Sequence, residues 1–176
     1  MSKLFYLVLI LFSFGSVALP HGGYWKPEFK SSACVMWQTS SIEVSPELNL
    51  SIAANFSLKG KRYVLSELQK SYGFQKGHHI LGFIIHGAYN HSFGQVDYPL
   101  ELYVNGGKLN KVQIEGVQYF YLMSNRVFDI LAGAEKGISF DVELKSASGE
   151  SFTVEYNYEQ LSLSTKMYLT CSENII

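Results

Sequence analysis

Strict alternation of apolar and polar residues runs from Leu48 to Leu58 and predicts a strand with one buried face. The even-numbered positions form the apolar face: Leu48, Leu50, Ile52, Ala54, Phe56 and Leu58. The odd-numbered positions form the other face: Asn49, Ser51, Ala53, Asn55 and Ser57. His79–Ile85 is more uniformly apolar, which is typical of a central strand that is covered on both faces.

A hairpin is predicted in the C-terminal part of the chain. Apolar and polar residues alternate from Ile138 to Lys145 and again from Phe152 to Tyr158. Ser148-Gly149 lies between these segments and is a typical turn sequence, so the two strands are expected to pair.

A second hairpin is predicted around Asn105-Gly106-Gly107. The strand Leu100–Val104 leads into this turn, and a return strand is expected around Val112–Val117.

Helical periodicity is less frequent. Ser124 or Asn125 can cap a helix that ends at Gly137 and has apolar residues at positions 127, 130, 131 and 134. The capping-box sequence Ser66–Gln69 predicts a short helix toward Tyr72. Glu159–Cys171 fits either element, and we favour a helix there.

The order of these elements predicts an α+β fold that is mainly antiparallel β, either a sandwich or a half-barrel, with one or two short helices. One disulfide between the N- and C-terminal parts is expected to close it.

The N-terminus is typical of an export signal. Lys3 precedes the apolar run Leu4–Phe14, and Ser16-Val17-Ala18 places small residues where a signal peptidase cleaves. This apolar run is shorter than the roughly 20 residues that span a bilayer. We therefore predict a signal peptide at residues 1–18 and a single exported globular domain at residues 19–176, without membrane insertion.

The chain has two cysteines, Cys34 and Cys171. In an oxidising compartment, a disulfide between them would join the two ends of the domain. Two free thiols or an intermolecular bridge are the alternatives, whereas the spacing excludes a CxxC redox pair.

The amino-acid composition limits the classes of partner that the protein is expected to bind. Without Lys3, the Lys and Arg residues nearly balance the 15 Asp and Glu residues, which argues against nucleic acid as a partner. The 12 Tyr and 12 Phe residues are typical of sheets with half-buried rings, although an aromatic platform for a ligand is the alternative.

Four histidines lie close together in the sequence: His78, His79, His86 and His91. His86 and His91 could approach each other across a turn, with Asp97 as a third ligand, which makes these three residues the candidate metal site. The alternative is that they are ordinary polar residues at strand ends and in loops, so we predict no cofactor.

No nucleophile motif of the type Gly-x-Ser-x-Gly occurs, and we favour a protein that is not an enzyme. A pair of carboxylates among Asp97, Glu101, Glu115 and Asp141 is the remaining catalytic possibility. Asn49, Asn55 and Asn90 are N-x-Ser sequons and are candidate glycosylation sites only if the source is eukaryotic.

The run Leu102–Gly107, the helix end Ala134–Gly137, the following hairpin and the late Cys171 resemble the C-terminal half of invasion-associated-locus-B-type bacterial envelope proteins. The resemblance implies a similar architecture and a bacterial source. The second cysteine pair expected in such proteins is missing, since Val112–Met123 contains no cysteine.

Taken together, these patterns predict a periplasmic or secreted, non-catalytic protein that binds another protein. An inhibitor, immunity, envelope-assembly or host-facing factor would fit. The alternative is a histidine-dependent metal-binding or hydrolytic protein centred on the segment His78–His91.

Overall fold

The structure is a computed structural model. It describes residues 25–45, 48–89, 92–94, 100–114, 117–146, 149, 151–156 and 158–176. The predicted leader lies outside these ranges, as do Asn90, His91, Asp97 and Glu115.

The described elements follow one another in this order: β1 (Lys26–Lys30), β2 (Ala33–Ser45), β3 (Leu48–Lys59), α1 (Glu67–Ser71), β4 (His79–Tyr89), β5 (Ser92–Gly94), β6 (Leu100–Val104), β7 (Gly107–Lys108), β8 (Asn110–Ile114), β9 (Val117–Leu122), α2 (Asn125–Glu135), β10 (Phe140–Ser146), β11 (Ser151–Tyr156) and α3 (Tyr158–Ile175).

These strands form two antiparallel sheets. The large sheet has the order β1-β2-β3-β4-β9-β8, with β5 paired to β4, and the small sheet has the order β11-β10-β6-β7. The chain passes from the small sheet to the large one at Leu109, whose backbone N–H still donates to the Leu102 carbonyl at 2.9 Å. The predicted α+β class with mainly antiparallel strands is confirmed.

The inner faces of the two sheets share a core of aromatic rings. Phe56 of β3 meets Phe140 of β10 edge to face at 5.7 Å, and Phe140 stacks on Tyr156 at 5.0 Å. Phe83 of β4 lies 6.2 Å from Tyr156, whose hydroxyl is hydrogen-bonded to Ser40 at 3.2 Å. These aromatic rings thus fill much of the space between the sheets.

Helix α3 packs against β1, β2 and α2 and joins the two ends of the domain. Its Ser164 hydroxyl donates to the carbonyl of Trp25 at 3.0 Å. Cys171 forms the predicted disulfide with Cys34 of β2, with a Cα–Cα distance of 6.0 Å. No described helix combines the length and apolar character that crossing a membrane requires.

Most of the predicted elements are confirmed. The alternating segment is β3, and the uniformly apolar segment is β4, which lies between β3 and β9. Ser66 and Gln69 form the reciprocal capping box of α1, and Ser124 is the N-cap residue of α2 although its side chain makes no capping hydrogen bond.

The predicted return strand was wrong. Strand β6 pairs across this turn with the short β7, which starts at Gly107. Val112–Val117 covers the end of β8 and the first residue of β9. Strand β9 has apolar side chains on both of its faces, so it shows no alternation in the sequence.

The predicted start of β10 and the predicted end of β11 were also wrong. Ile138 precedes β10 and is exposed; its N–H donates to the Gly133 carbonyl at 2.9 Å and so closes the end of α2. Tyr158 begins α3 rather than ending β11, because the apolar spacing from there on is helical. Leu161, Thr165 and Tyr168 are all fully buried at this spacing.

Replacing both cysteines with alanine is expected to lower the free energy of unfolding by roughly 3–5 kcal/mol, because the bond closes a loop with a sequence separation of 137. Urea unfolding followed by circular dichroism measures this, with oxidised wild-type protein as the control. A decrease of less than about 1 kcal/mol in the free energy of unfolding would contradict a major stabilising role of the disulfide.

Candidate functional site

The outer face of the large sheet, which points away from the small sheet, is partly buried rather than fully solvated. Ile80 of β4 is only 2% exposed and Ser57 of β3 only 7% exposed, although both point outward. Val35 of β2 and Ile84 of β4 are half-buried on the same face. This face therefore carries an apolar layer of its own.

The segment of residues 60–78, which contains α1, covers part of this layer. It leaves β3 at Gly60 and returns to it through a hydrogen bond from the Gly77 N–H to the Lys59 carbonyl at 2.8 Å. In the middle of the segment, the Tyr72 carbonyl accepts a hydrogen bond from the Tyr121 hydroxyl of β9 at 3.0 Å. We call residues 60–78 the cover segment.

An aromatic wall joins the cover segment to the sheet. Phe74 meets the ring of Tyr121 edge to face at 5.0 Å and the ring of Tyr119 at 6.4 Å. Tyr119 and Tyr121 are two residues apart on β9 and lie nearly parallel at 6.0 Å. Edge-to-face and offset contacts of this kind are the favourable arrangements of aromatic rings.

Gly82 allows Tyr119 to lie flat across the sheet. A Cβ atom at position 82 would come within 2.7 Å of the Tyr119 ring carbon that bears the hydroxyl. The hydroxyl reaches across β4 to a hydrogen bond with the Asn55 side chain on β3. Burial raises the pKa of Tyr119 to about 12, although the bond to Asn55 lowers it. Tyr119 is therefore a neutral hydrogen-bonding group at physiological pH.

A cavity of about 510 Å³ lies between the outer face and the cover segment. Its apolar walls are Val35, Phe74, Ile80, Ile84 and Val117. Its uncharged polar groups are Asn55, Ser57, Gln69 and Tyr119. Lys59 and His86 complete the lining, which contains no carboxylate among the described residues.

The two basic side chains lie at opposite ends of this cavity. Lys59 is the last residue of β3, beyond the pair Ser57–Ile80, whereas His86 pairs with Ser51 farther along the same two strands. The ammonium group of Lys59 lies 4.6 Å from the centre of the Tyr63 ring, a cation–π contact. Within the described part of the chain, no ion pair involves Lys59.

The structure separates the predicted histidine cluster. His86 is exposed at one end of the cavity, and its candidate partners His91 and Asp97 lie outside the described residues. His79 points to the inner face, where Nδ1 is 2.9 Å from the Tyr168 hydroxyl; burial and the neighbouring His78 lower its pKa. Among the described residues, no group of three or more His, Cys, Asp or Glu could hold a metal.

The two candidate carboxylates that the structure describes, Glu101 and Asp141, lie apart from each other. Glu101 of β6 pairs with Lys145 of β10, and Asp141 is four residues away along β10, which corresponds to about 13 Å. Glu101 forms hydrogen bonds with Tyr103 and Lys108, which hold the pKa of its carboxyl below the usual value.

Of the sequons, Asn49 is exposed on β3 and Asn55 faces the cavity.

Sequence reasoning did not identify the cavity. Tyr119 lies in a strand without alternation, and the outward residues of β3 resemble an ordinary polar face in the sequence. The available signal was the glycine at position 82 within an otherwise apolar central strand, which often marks the close approach of another group.

Comparison with known proteins gives no relative: no family model, no curated protein and no solved structure matches this chain.

Replacing Gly82 with alanine is expected to destabilise the protein by about 1–3 kcal/mol, because the new methyl group must displace the Tyr119 ring. The matched control is Gly133→Ala in α2. The nearest atom to its added Cβ lies 3.6 Å away, so the gain in helix propensity should leave the stability unchanged or raise it by up to about 1 kcal/mol. Equal effects of the two substitutions in urea unfolding would contradict the described packing of Tyr119.

Proposed function

We propose that this protein is an exported, non-catalytic binding protein that holds the apolar part of a small ligand in the cavity on the outer face of the large sheet. The cavity of about 510 Å³ is the observation that carries the proposal. Its volume lies in the range of about 300–1,000 Å³ that is typical of small-molecule sites.

The chemistry of the lining supports binding. Apolar walls with a few convergent polar groups are the usual composition of a ligand site. Asn55 and Tyr119 are already hydrogen-bonded to each other, which fixes the orientation of both groups before any ligand arrives. A pre-formed site of this kind costs little ordering when the ligand binds.

The same lining supports a non-catalytic role. Burial moves the pKa of Tyr119 away from neutrality, which makes it a poor acid or base near pH 7. Ser57 and His86 are six residue steps apart along the paired strands, or about 20 Å, so they cannot form a nucleophile–base pair. Both cysteines are committed to the disulfide.

Export is supported by the disulfide, which is compatible with an oxidising compartment, and by the leader-like N-terminus of the sequence. A periplasmic or secreted location is part of the proposal.

A protein partner, as expected from the sequence, stays a prediction. We favour a small ligand because Tyr119 lines the cavity together with Phe74 of the cover segment, so these two rings form a concave site and not a flat binding face.

The proposal predicts that the neutral fluorescent probe N-phenyl-1-naphthylamine binds the wild-type protein saturably, with its fluorescence enhanced. Ile84→Trp fills the cavity from β4 and should abolish the enhancement. Val64→Trp is the matched control, because Val64 is 85% exposed and does not line the cavity. Thermal unfolding checks that each variant is folded.

The proposal is wrong if the wild-type protein gives no saturable enhancement, or if folded Ile84→Trp protein binds the probe as the wild type does.

A further inference from the structure

We infer that the ligand of this cavity is an amphipathic carboxylate whose charged head lies at Lys59 and whose alkyl chain extends along β4. The inference rests on the proposed function and adds the chemical class and the orientation of the ligand.

The charges of the lining favour an anion. Lys59 is its one permanently charged side chain among the described residues, and no carboxylate is present there to neutralise it. A cationic head would meet an uncompensated like charge in a partly desolvated site, whereas an anionic head would form a charge-assisted hydrogen bond.

The ammonium group of Lys59 is available for such a bond. The structure shows this ammonium group over the face of the Tyr63 ring, 4.6 Å from the ring centre. A cation–π contact orients an ammonium group without occupying all three of its N–H donors. In the described part of the chain, the lysines in ion pairs are Lys70, Lys108 and Lys145.

The apolar walls fit a chain that starts at this end of the cavity. Ile80 is the first outward apolar residue of β4 beyond Lys59, and Ile84 follows it along the same face. The distance along β4 from Ile80 to His86 is about 20 Å, which is longer than an extended decanoate. Phe74 of the cover segment lines the same space.

The experiment compares three probes with the same alkyl chain and different heads: decanoate, decan-1-ol and decyltrimethylammonium. Each is titrated into the full exported protein by displacement of N-phenyl-1-naphthylamine, below its micelle concentration. We expect decanoate to bind about tenfold more tightly than decanol, which corresponds to one charge-assisted hydrogen bond, and the cation to bind most weakly.

Lys59→Gln should remove the preference for decanoate, so that decanoate and decanol bind this variant with affinities within about twofold of each other, because the charge that distinguishes the two heads is gone. Lys61→Gln is the matched control. Lys61 lies two residues away and does not line the cavity, so this variant should keep the full preference.

The outcomes distinguish the two proposals. If decanol or the cation binds as tightly as decanoate, or if folded Lys59→Gln protein keeps the preference, the inference is overturned while the proposed function stands. If the dye binds but decanoate does not displace it, the inference is likewise overturned while the proposed function stands. If the dye itself does not bind the wild-type protein, both are overturned.

Discussion

The large sheet has apolar side chains on both faces, but among the described residues only its inner face receives a complete second layer. On the inner face, the small sheet and the helices bury Phe56 and Phe83 completely. On the outer face, the cover segment provides a partial layer through Phe74. The space between this partial layer and the outer face of the sheet is the cavity. The candidate site thus exists because the layers that pack on the two faces of the large sheet differ in size.

The disulfide between the two ends of the domain also helps to position one end of the cavity. The disulfide holds α3 against β2, and the end of α3 reaches the start of the cover segment. There, Gly60 leaves room for Ile175, whose carbonyl accepts a hydrogen bond from the Lys61 N–H at 3.2 Å. Lys59 is the residue before this contact. The bond that stabilises the whole domain therefore also anchors the cover segment and the cationic end of the cavity.

Local patterns were sufficient to predict much of the fold. The alternation of residues 48–58 identifies a strand because each side chain there faces a uniform environment. The cavity depends instead on Asn55, Gly82 and Tyr119, which meet only through the pairing of three strands. No spacing within one segment encodes such a contact. Aromatic content likewise indicated buried rings, but it could not divide them between the core and the cavity wall.

The most direct test of the account is an NMR measurement of where decanoate binds, made on protein with labelled isoleucine methyl groups and phenylalanine rings. We predict intermolecular nuclear Overhauser effects from the decanoate chain to the methyl groups of Ile80 and Ile84 and to the ring of Phe74. The buried core residues Ile42 and Ile52 should show none. Contacts to other surfaces, such as Phe128 on α2, without contacts to Ile80 and Ile84, would contradict the account.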